Sequence, residues 1–236
     1  MPRCVICNQN VAAWTPHPHI EHRSEFTKLM RVVGSDLSLY QCPACGCNDR
    51  DRHLWLFLDA GGLLQSMPGR RVLHLAPELH IEQLVTRLGP AEYVRGDLHP
   101  TRAGIVRADI ENLPFEAGSF DLAICNHVLE HVGDPLRALR ELHRCLAPGG
   151  TLVAQTPYSP LLRRSFEIVE KPTPDFARLF FGQDDHVRLF GADIGDYFRQ
   201  AGFAGGDPIP SEAALGTLDP AEFGFNAREP FFAFSR

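Results

Sequence analysis

Phe120 to Pro157 reads FDLAICNHVLEHVGDPLRALRELHRCLAPGGTLVAQTP, an uninterrupted strand, helix, turn and strand. Phe120 to Cys125 and Thr151 to Thr156 are short apolar runs rich in strand formers. Between them Asp134 is placed to cap a helix that opens with Pro135 and carries Leu136, Leu139, Leu142 and Leu146 on one face. Arg137, Arg140, Glu141 and Arg144 then face water. Pro148-Gly149-Gly150 stops the helix and turns the chain back, so the unit is a right-handed parallel crossover of an open α/β sheet. Ligands of such sheets bind beyond the carboxyl ends of the strands. At that end stand Asn126, His127, Glu130 and His131, an unusually polar cluster directly after a buried strand.

Working outward, Arg71 to Ala76 has the character of a first buried strand, followed by the glycine-poor turn Ala76-Pro77-Glu78-Leu79-His80. Such a turn keeps the backbone away from a pyrophosphate and argues against a dinucleotide enzyme. Glu78 is placed either to hold a ligand's amino group or to act as an acid favoured at a helix N-terminus. Leu79 to Leu88 is a helix, Ala91 to Leu98 a second strand and Ile105 to Ile110 a third. Asp97, about twenty residues after the first strand, sits where an acid commonly meets ribose hydroxyls; a turn aspartate before Pro100 is the plainer reading. Tyr158 to Phe190 is irregular, and Asp184, Asp185, His186 and Arg188 could deprotonate a hydroxyl, clamp an acidic acceptor, or form a salt-bridged turn. Asp193 is expected to cap a last helix with Ile194, Phe198 and Ala201 inward, ended by Gly202. Phe203 begins a sixth strand, and Pro230 to Phe234 supplies a closing one after a link that could cover an acceptor site.

The first fifty residues read as a small unit of their own. Cys4-Val5-Ile6-Cys7 and Cys42-Pro43-Ala44-Cys45-Gly46 are two paired knuckles, each able to present two thiolates to one tetrahedral metal. Cys4, Cys7, Cys42 and Cys45 are therefore candidate ligands of a structural zinc, in a unit that resembles a zinc ribbon. Cys47 is a spare, and His17, His19, His22 and His53 are alternatives for the fourth position. Asn48 to Leu64 looks like a helix, with a stripe through Leu54, Trp55 and Leu58, joining this unit to the sheet. Its Arg50 and Arg52 read as surface-pairing residues or substrate contacts.

With 236 residues, 44% hydrophobic, the chain can bury a full core. A net charge of −6 disfavours a dedicated nucleic-acid binder. No apolar run reaches membrane-span length and MPRCVICNQN lacks a signal-peptide core, so a cytoplasmic location is expected. Seven cysteines in such a setting point to metal before disulfide.

The runs SFDLAICNHVLEHV and LHRCLAPGGTLV, with RADIENLPF upstream, resemble the fourth strand, helix and fifth strand of class I S-adenosylmethionine-dependent methyltransferases. The resemblance covers residues 70 to 236 and departs from the family where its glycine-rich loop is replaced by Ala76-Pro77-Glu78. That departure, FGQDDHVRLFG and the cysteine knuckles together are similar to a bacterial subgroup. The resemblance implies an α/β, Rossmann-like, mostly parallel seven-stranded sheet in the order 3-2-1-4-5-7-6. The expected organisation is the zinc-ribbon-like module at 1–50, a linking helix at 51–69 and a methyltransferase domain at 70–236, with acceptor structure inserted at 158–190. S-adenosylmethionine would contact His74, Ala76, Pro77 and Glu78 at its amino-acid end, Asp97 and Leu98 at the ribose, Asp109 and Ile110 at the adenine, and Asn126 and His127 near the methyl. His127, His131 and His186 are the candidate bases, and Tyr158, Asp185, His186 and Arg188 the candidate acceptor contacts. The acceptor would be a small molecule, glycan or peptide, with the ribbon available to dock a macromolecule. The rival reading is a non-catalytic binding or scaffold protein built on a degenerate cofactor fold.

Overall fold

The computed structural model describes residues 1–20, 23–205 and 207–236; His22 lies outside them. The N-terminal part carries α1 (Glu25–Leu29) and α2 (Asp49–Ala60). Then follow β1 (Arg71–Leu75), α3 (Leu79–Leu88), β2 (Glu92–Asp97), β3 (Val106–Arg107), β4 (Phe120–Cys125), α4 (Pro135–Cys145) and β5 (Leu146–Val153). The remainder holds β6 (Phe166–Glu167), α5 (Pro174–Phe180), β7 (Arg188–Leu189), α6 (Ile194–Ala201), α7 (Ser211–Leu215), α8 (Pro220–Phe223) and β8 (Ala233–Ser235).

The main sheet runs β3-β2-β1-β4-β5-β8, parallel except for β8, which pairs antiparallel to β5 with Phe234 opposite Leu152. β6 and β7 form a separate antiparallel pair. This is the expected mostly parallel Rossmann-like sheet with one strand fewer. The strand expected at Phe203 is reduced to a single antiparallel bridge between Ala204 and Ser235. Gly205, at φ 113°, turns the chain away immediately afterwards, and Pro208 has no N–H to offer a ladder. The third strand is likewise shorter than expected, because Asp109 turns back to bridge Asn112.

Side chains of period two sort into two cores, one on each face of the sheet. Leu73, Leu75, Ala123, Cys125 and Leu152 pack with Leu139 and Leu142 of α4 and Phe198 of α6. Val72, Leu122, Ile124 and Val153 pack instead with Phe57 and Leu58 of α2 and with Cys4, Trp14 and Cys42 of the N-terminal unit. That unit therefore shares one apolar cluster with the sheet. α4 begins as expected, with the Asp134 side chain accepting from Arg137 N–H and Pro135 at the first position. It ends one residue early, at Cys145, and Leu146 already opens β5 with extended backbone. Pro148-Gly149-Gly150 consequently lies inside β5, where the pairing with β4 shifts register.

Two expectations for polar side chains change. Asp193 makes no cap bond to α6; its carboxylate accepts from Ser165 N–H and Oγ at 2.8 Å. Arg52 is not a surface residue but fully buried. The capping box between Asn48 and Asp51 starts α2 so that Arg52 points inward, beneath Trp14, whose ring lies 4.1 Å from the guanidinium carbon.

Candidate active site

At the carboxyl end of β1 the chain takes a left-handed turn at Ala76, φ 48°, where the family loop would place glycine. The Ala76 N–H is held by Gly96 O at 2.8 Å. Glu78, at the N-terminus of α3, is fixed by two strands. Its Oε2 lies 2.9 Å from His74 Nε2 on β1, and its Oε1 accepts from Asn126 Nδ2 at 2.5 Å beyond β4. His74 Nδ1 in turn meets the Tyr93 hydroxyl of β2 at 2.8 Å. Burial acts to raise the Glu78 pKa, but His74 and Asn126 outweigh it and hold the carboxylate below its usual range. Asn126 Oδ1 is buried without a partner among the described residues. An ionised carboxylate beside an orphaned amide oxygen fits a cationic ligand group, such as an ammonium or sulfonium.

Further along the same edge, Asp97 ends β2 half-buried, with Oδ1 accepting from His99 N–H at 2.7 Å; the adjacent Leu98 side chain is exposed. Pro77 O accepts from Arg102 at 2.7 Å, and Arg102 also pairs with Glu82, closing this edge of the sheet. Asp109 is exposed and accepts from Glu111 N–H, whereas Ile110 turns its side chain into the core. Glu78, Asn126, Asp97 and Asp109 thus follow the carboxyl ends of β1, β4, β2 and β3, where an open α/β sheet takes its ligand.

The three candidate histidines converge, although not as one helical face: residues 127 to 133 form turns ahead of α4. His127 sits at φ 54°, an uncommon conformation for a residue with a Cβ, and its N–H is held by Gln155 O at 2.7 Å. All three rings surround Glu130, which is fully buried. His127 Nδ1 is 3.4 Å from Glu130 Oε1, His131 Nε2 is 3.9 Å and His186 Nε2 is 4.0 Å. On its other side His127 Nε2 faces Glu229 Oε1 at 3.7 Å, and Glu229 is also held by His53 at 3.0 Å and by Gln155. Burial and the charge of Arg50 act to lower the His127 pKa; the two carboxylates prevail and raise it to about 9. Burial would raise the Glu130 pKa, but the histidines, His127 foremost, bring it down to about 2. Burial lowers that of His186.

His127 and His186 line a cavity of about 580 Å³ whose opposite wall is the N-terminal unit, including His17, Tyr40 and Arg23, and Arg50 of α2. Of the expected acceptor contacts, His186 reaches this cavity. Asp185 is exposed and lies 3.4 Å from His131 Nδ1. Tyr158 bridges Val33 and Phe190 and lines a different depression beside Pro230. Arg188 is not free to clamp an acceptor: it is buried, its guanidinium donating to Leu129 O, Val132 O and Gly133 O and pairing with Glu167. It braces the 127–133 turns instead. Glu229 escaped sequence reading because nothing in the spacing of an irregular link marks an acid destined for burial. Glu130 stood in the polar cluster, but only its three partners reveal it as the centre.

At the N-terminus the two knuckles repeat one backbone pattern. Cys4 N–H bonds to Gln9 O and Asn8 N–H to Cys4 O; Cys42 N–H bonds to Cys47 O and Gly46 N–H to Cys42 O. Asn8 and Gly46 take the same left-handed position, at φ 60° and 80°. Single ligand atoms of Cys4, Cys42, Cys45 and Cys47 lie within 4.8 Å of one another, a donor set that suits zinc. Cys47 thus stands in the group of four where Cys7 was expected. Cys7 is nevertheless close enough for its thiol to interact with those of Cys4 and Cys45.

The sheet order and the ligand edge beyond its carboxyl ends are those of a class I cofactor-binding α/β domain. Residues 74–154 match the family model described as a methyltransferase domain. A demethylmenaquinone methyltransferase of Listeria monocytogenes is 26% identical over 89% of this chain and 86% of its own length. One of Staphylococcus haemolyticus is 31% identical over 44% of this chain, and the match spans about half of that relative (49%). Among solved structures, a chain from the complex containing the Haloferax volcanii Trm112 methyltransferase activator superposes with a TM-score of 0.51 at 18% identity, covering 79% of this chain and 90% of that one; this likeness concerns the fold. Over residues 74–154 the chain is thus similar to the methyltransferase domain of the class I S-adenosylmethionine-dependent enzymes. No helix among the described residues is long and apolar enough to cross a membrane.

Proposed function

We propose that the protein transfers the methyl group of S-adenosylmethionine to a small-molecule acceptor seated in the cavity between the sheet and the N-terminal unit. The observation that carries this reading is the adjacency of Asn126 and His127: one holds Glu78 at the ligand edge, the next lines the cavity. The sulfonium supplies an electrophilic methyl, so the protein's main task is to hold donor and acceptor in line. Glu78 and Asn126 would hold the cationic amino-acid end, Asp97 the ribose hydroxyls, and Asp109 the adenine side. His127, with its raised pKa, is cationic at neutral pH and suits holding an acceptor oxygen rather than taking its proton. Deprotonation falls to the group formed by Glu130, His131 and His186. Arg50 and Arg23 on the opposite wall favour an acceptor with a polar or anionic part. The two relatives named as demethylmenaquinone methyltransferases support a small molecule over a macromolecule.

Calorimetric titration with S-adenosylhomocysteine tests the donor site. Wild-type protein is expected to bind, and Asp97→Ala to bind about 10- to 100-fold more weakly, the loss of one or two hydrogen bonds to a charged group. A folded wild-type protein that binds nothing would leave the scaffold reading in its place.

The cysteine cluster would hold one structural zinc per chain. Its fourth ligand is decided by metal analysis of two variants. Loss of zinc in Cys7→Ser but not Cys47→Ser would assign the two equivalent knuckles as the ligand set, and the reverse would assign the group of four brought together above.

A further inference from the structure

We infer that Glu130, His131 and His186 form a second metal site, one that takes a divalent first-row transition cation at the wall of the acceptor cavity. Single ligand atoms of these three residues lie within 4.8 Å of one another. The hydrogen bonds behind them decide which atoms face inward. His186 Nδ1 is 2.9 Å from Phe181 O, and a carbonyl can only accept, so Nδ1 carries the hydrogen and a neutral ring leaves its lone pair on Nε2. His131 Nδ1 stands 3.3 Å from Asp185 O, with the same consequence. Thr156 Oγ1 donates to Glu130 Oε2 at 2.9 Å, which leaves Oε1 as the inward oxygen.

Three electron-pair donors therefore point at one space. Glu130 Oε1 and His186 Nε2 are buried and have no hydrogen-bond partner among the described residues. The separations of 3.9 and 4.0 Å from Oε1 to the two Nε2 atoms are too long for direct hydrogen bonds. They are about half an ångström longer than the ~3.3–3.6 Å that a tetrahedral cation with bonds of about 2.0–2.2 Å would impose, so binding would draw the three ligand atoms together around the ion. The outer bonds to Phe181, Asp185 and Thr156 orient each ligand in the way metal-bound histidine and carboxylate usually require. Val187 N–H, bonded to Glu130 O at 3.0 Å, ties the two ligand-bearing segments together.

Two imidazoles and one carboxylate suit a borderline metal with open positions, unlike the thiol cluster near the N-terminus. Because His186 lines the cavity, an open position would face an acceptor oxygen. His127 Nδ1, 3.4 Å from the same Oε1, competes with the cation for that oxygen.

The site is tested by binding, without reference to methyl transfer. Protein already loaded with zinc at its cysteines is titrated with Mn²⁺, and loss of the free-ion electron paramagnetic resonance signal counts the bound ion. One further Mn²⁺ per chain is expected. His131 is only partly buried, so His131→Ala should fold as the wild type, which thermal unfolding checks. It is expected to weaken binding at least about 100-fold, since even the outer partners of metal ligands are worth ~10- to 100-fold. Glu130→Gln, which keeps the shape and removes the charge, should do the same. Zinc-loaded wild type that takes up no Mn²⁺, or equal affinity in wild type and His131→Ala, would overturn the site. Either result leaves donor binding through Asp97 untouched, so the two readings fail separately.

Discussion

Arg52→Ala is expected to destabilise the protein by roughly 3–5 kcal/mol, because several buried carbonyls would each lose a charged donor at a cost of about 1–3 kcal/mol. The guanidinium is completely enclosed. Nε donates to Gly224 O at 2.8 Å, Nη1 to Cys47 O at 3.1 Å, and Nη2 to Leu39 O and Tyr40 O. Truncation to alanine would orphan these carbonyls and leave the Trp14 ring over a hole. Three parts of the chain meet at this one side chain: the second knuckle, α2, and the segment after α8. Lysine should not rescue it, because one ammonium cannot reproduce the planar fork that serves carbonyls in three directions. Denaturant unfolding of wild type, Arg52→Ala and Arg52→Lys provides the measurement. A loss below about 1 kcal/mol for the alanine variant would show that the buried network is not what fastens the N-terminal unit to the sheet.

The second large effect is a loss of stability in mild alkali. The folded-state pKa of His127 is raised to about 9, above its ordinary value. A raised folded pKa contributes stability that is fully present below the unfolded value and disappears as pH rises through the folded one. The window therefore runs from about pH 6.5 to 9, and the contribution at stake is up to about 3 kcal/mol. Glu130 and Glu229 face the ring as the favourable charges, Arg50 opposes them, and His53 shares Glu229. His127→Asn is the informative comparison, because asparagine tolerates the left-handed backbone that this position demands. Wild-type stability should fall more steeply than that of His127→Asn between pH 7 and 10. Parallel curves would mean that His127 is not charged in the folded protein.

The crossover from Phe120 to Pro157 was legible because its signals are local. Short apolar runs rich in strand formers and a capping aspartate before proline act within a few residues, and they placed β4 and the start of α4; the Pro148-Gly149-Gly150 stop did not hold, since α4 ends at Cys145 and β5 opens at Leu146. The cysteine knuckles were legible for the same reason. The strand expected to begin at Phe203 failed on equally local grounds, since Gly205 bends the chain one residue past the single bridge at Ala204.

Polar fates were another matter. Sequence by itself determined the strand–helix–strand crossover, the mostly parallel character of the sheet and the presence of two thiol pairs. Only the tertiary structure decided that Arg52 is buried and Arg188 committed to carbonyls, that Glu229 reaches His53 and His127, and that His131 and His186 turn their lone pairs on Glu130. The physical reason is range. Apolar periodicity is satisfied by any adequate partner face, so spacing alone predicts it. A buried charge is tolerated only where particular groups from distant segments meet it, and no spacing along the chain encodes that meeting.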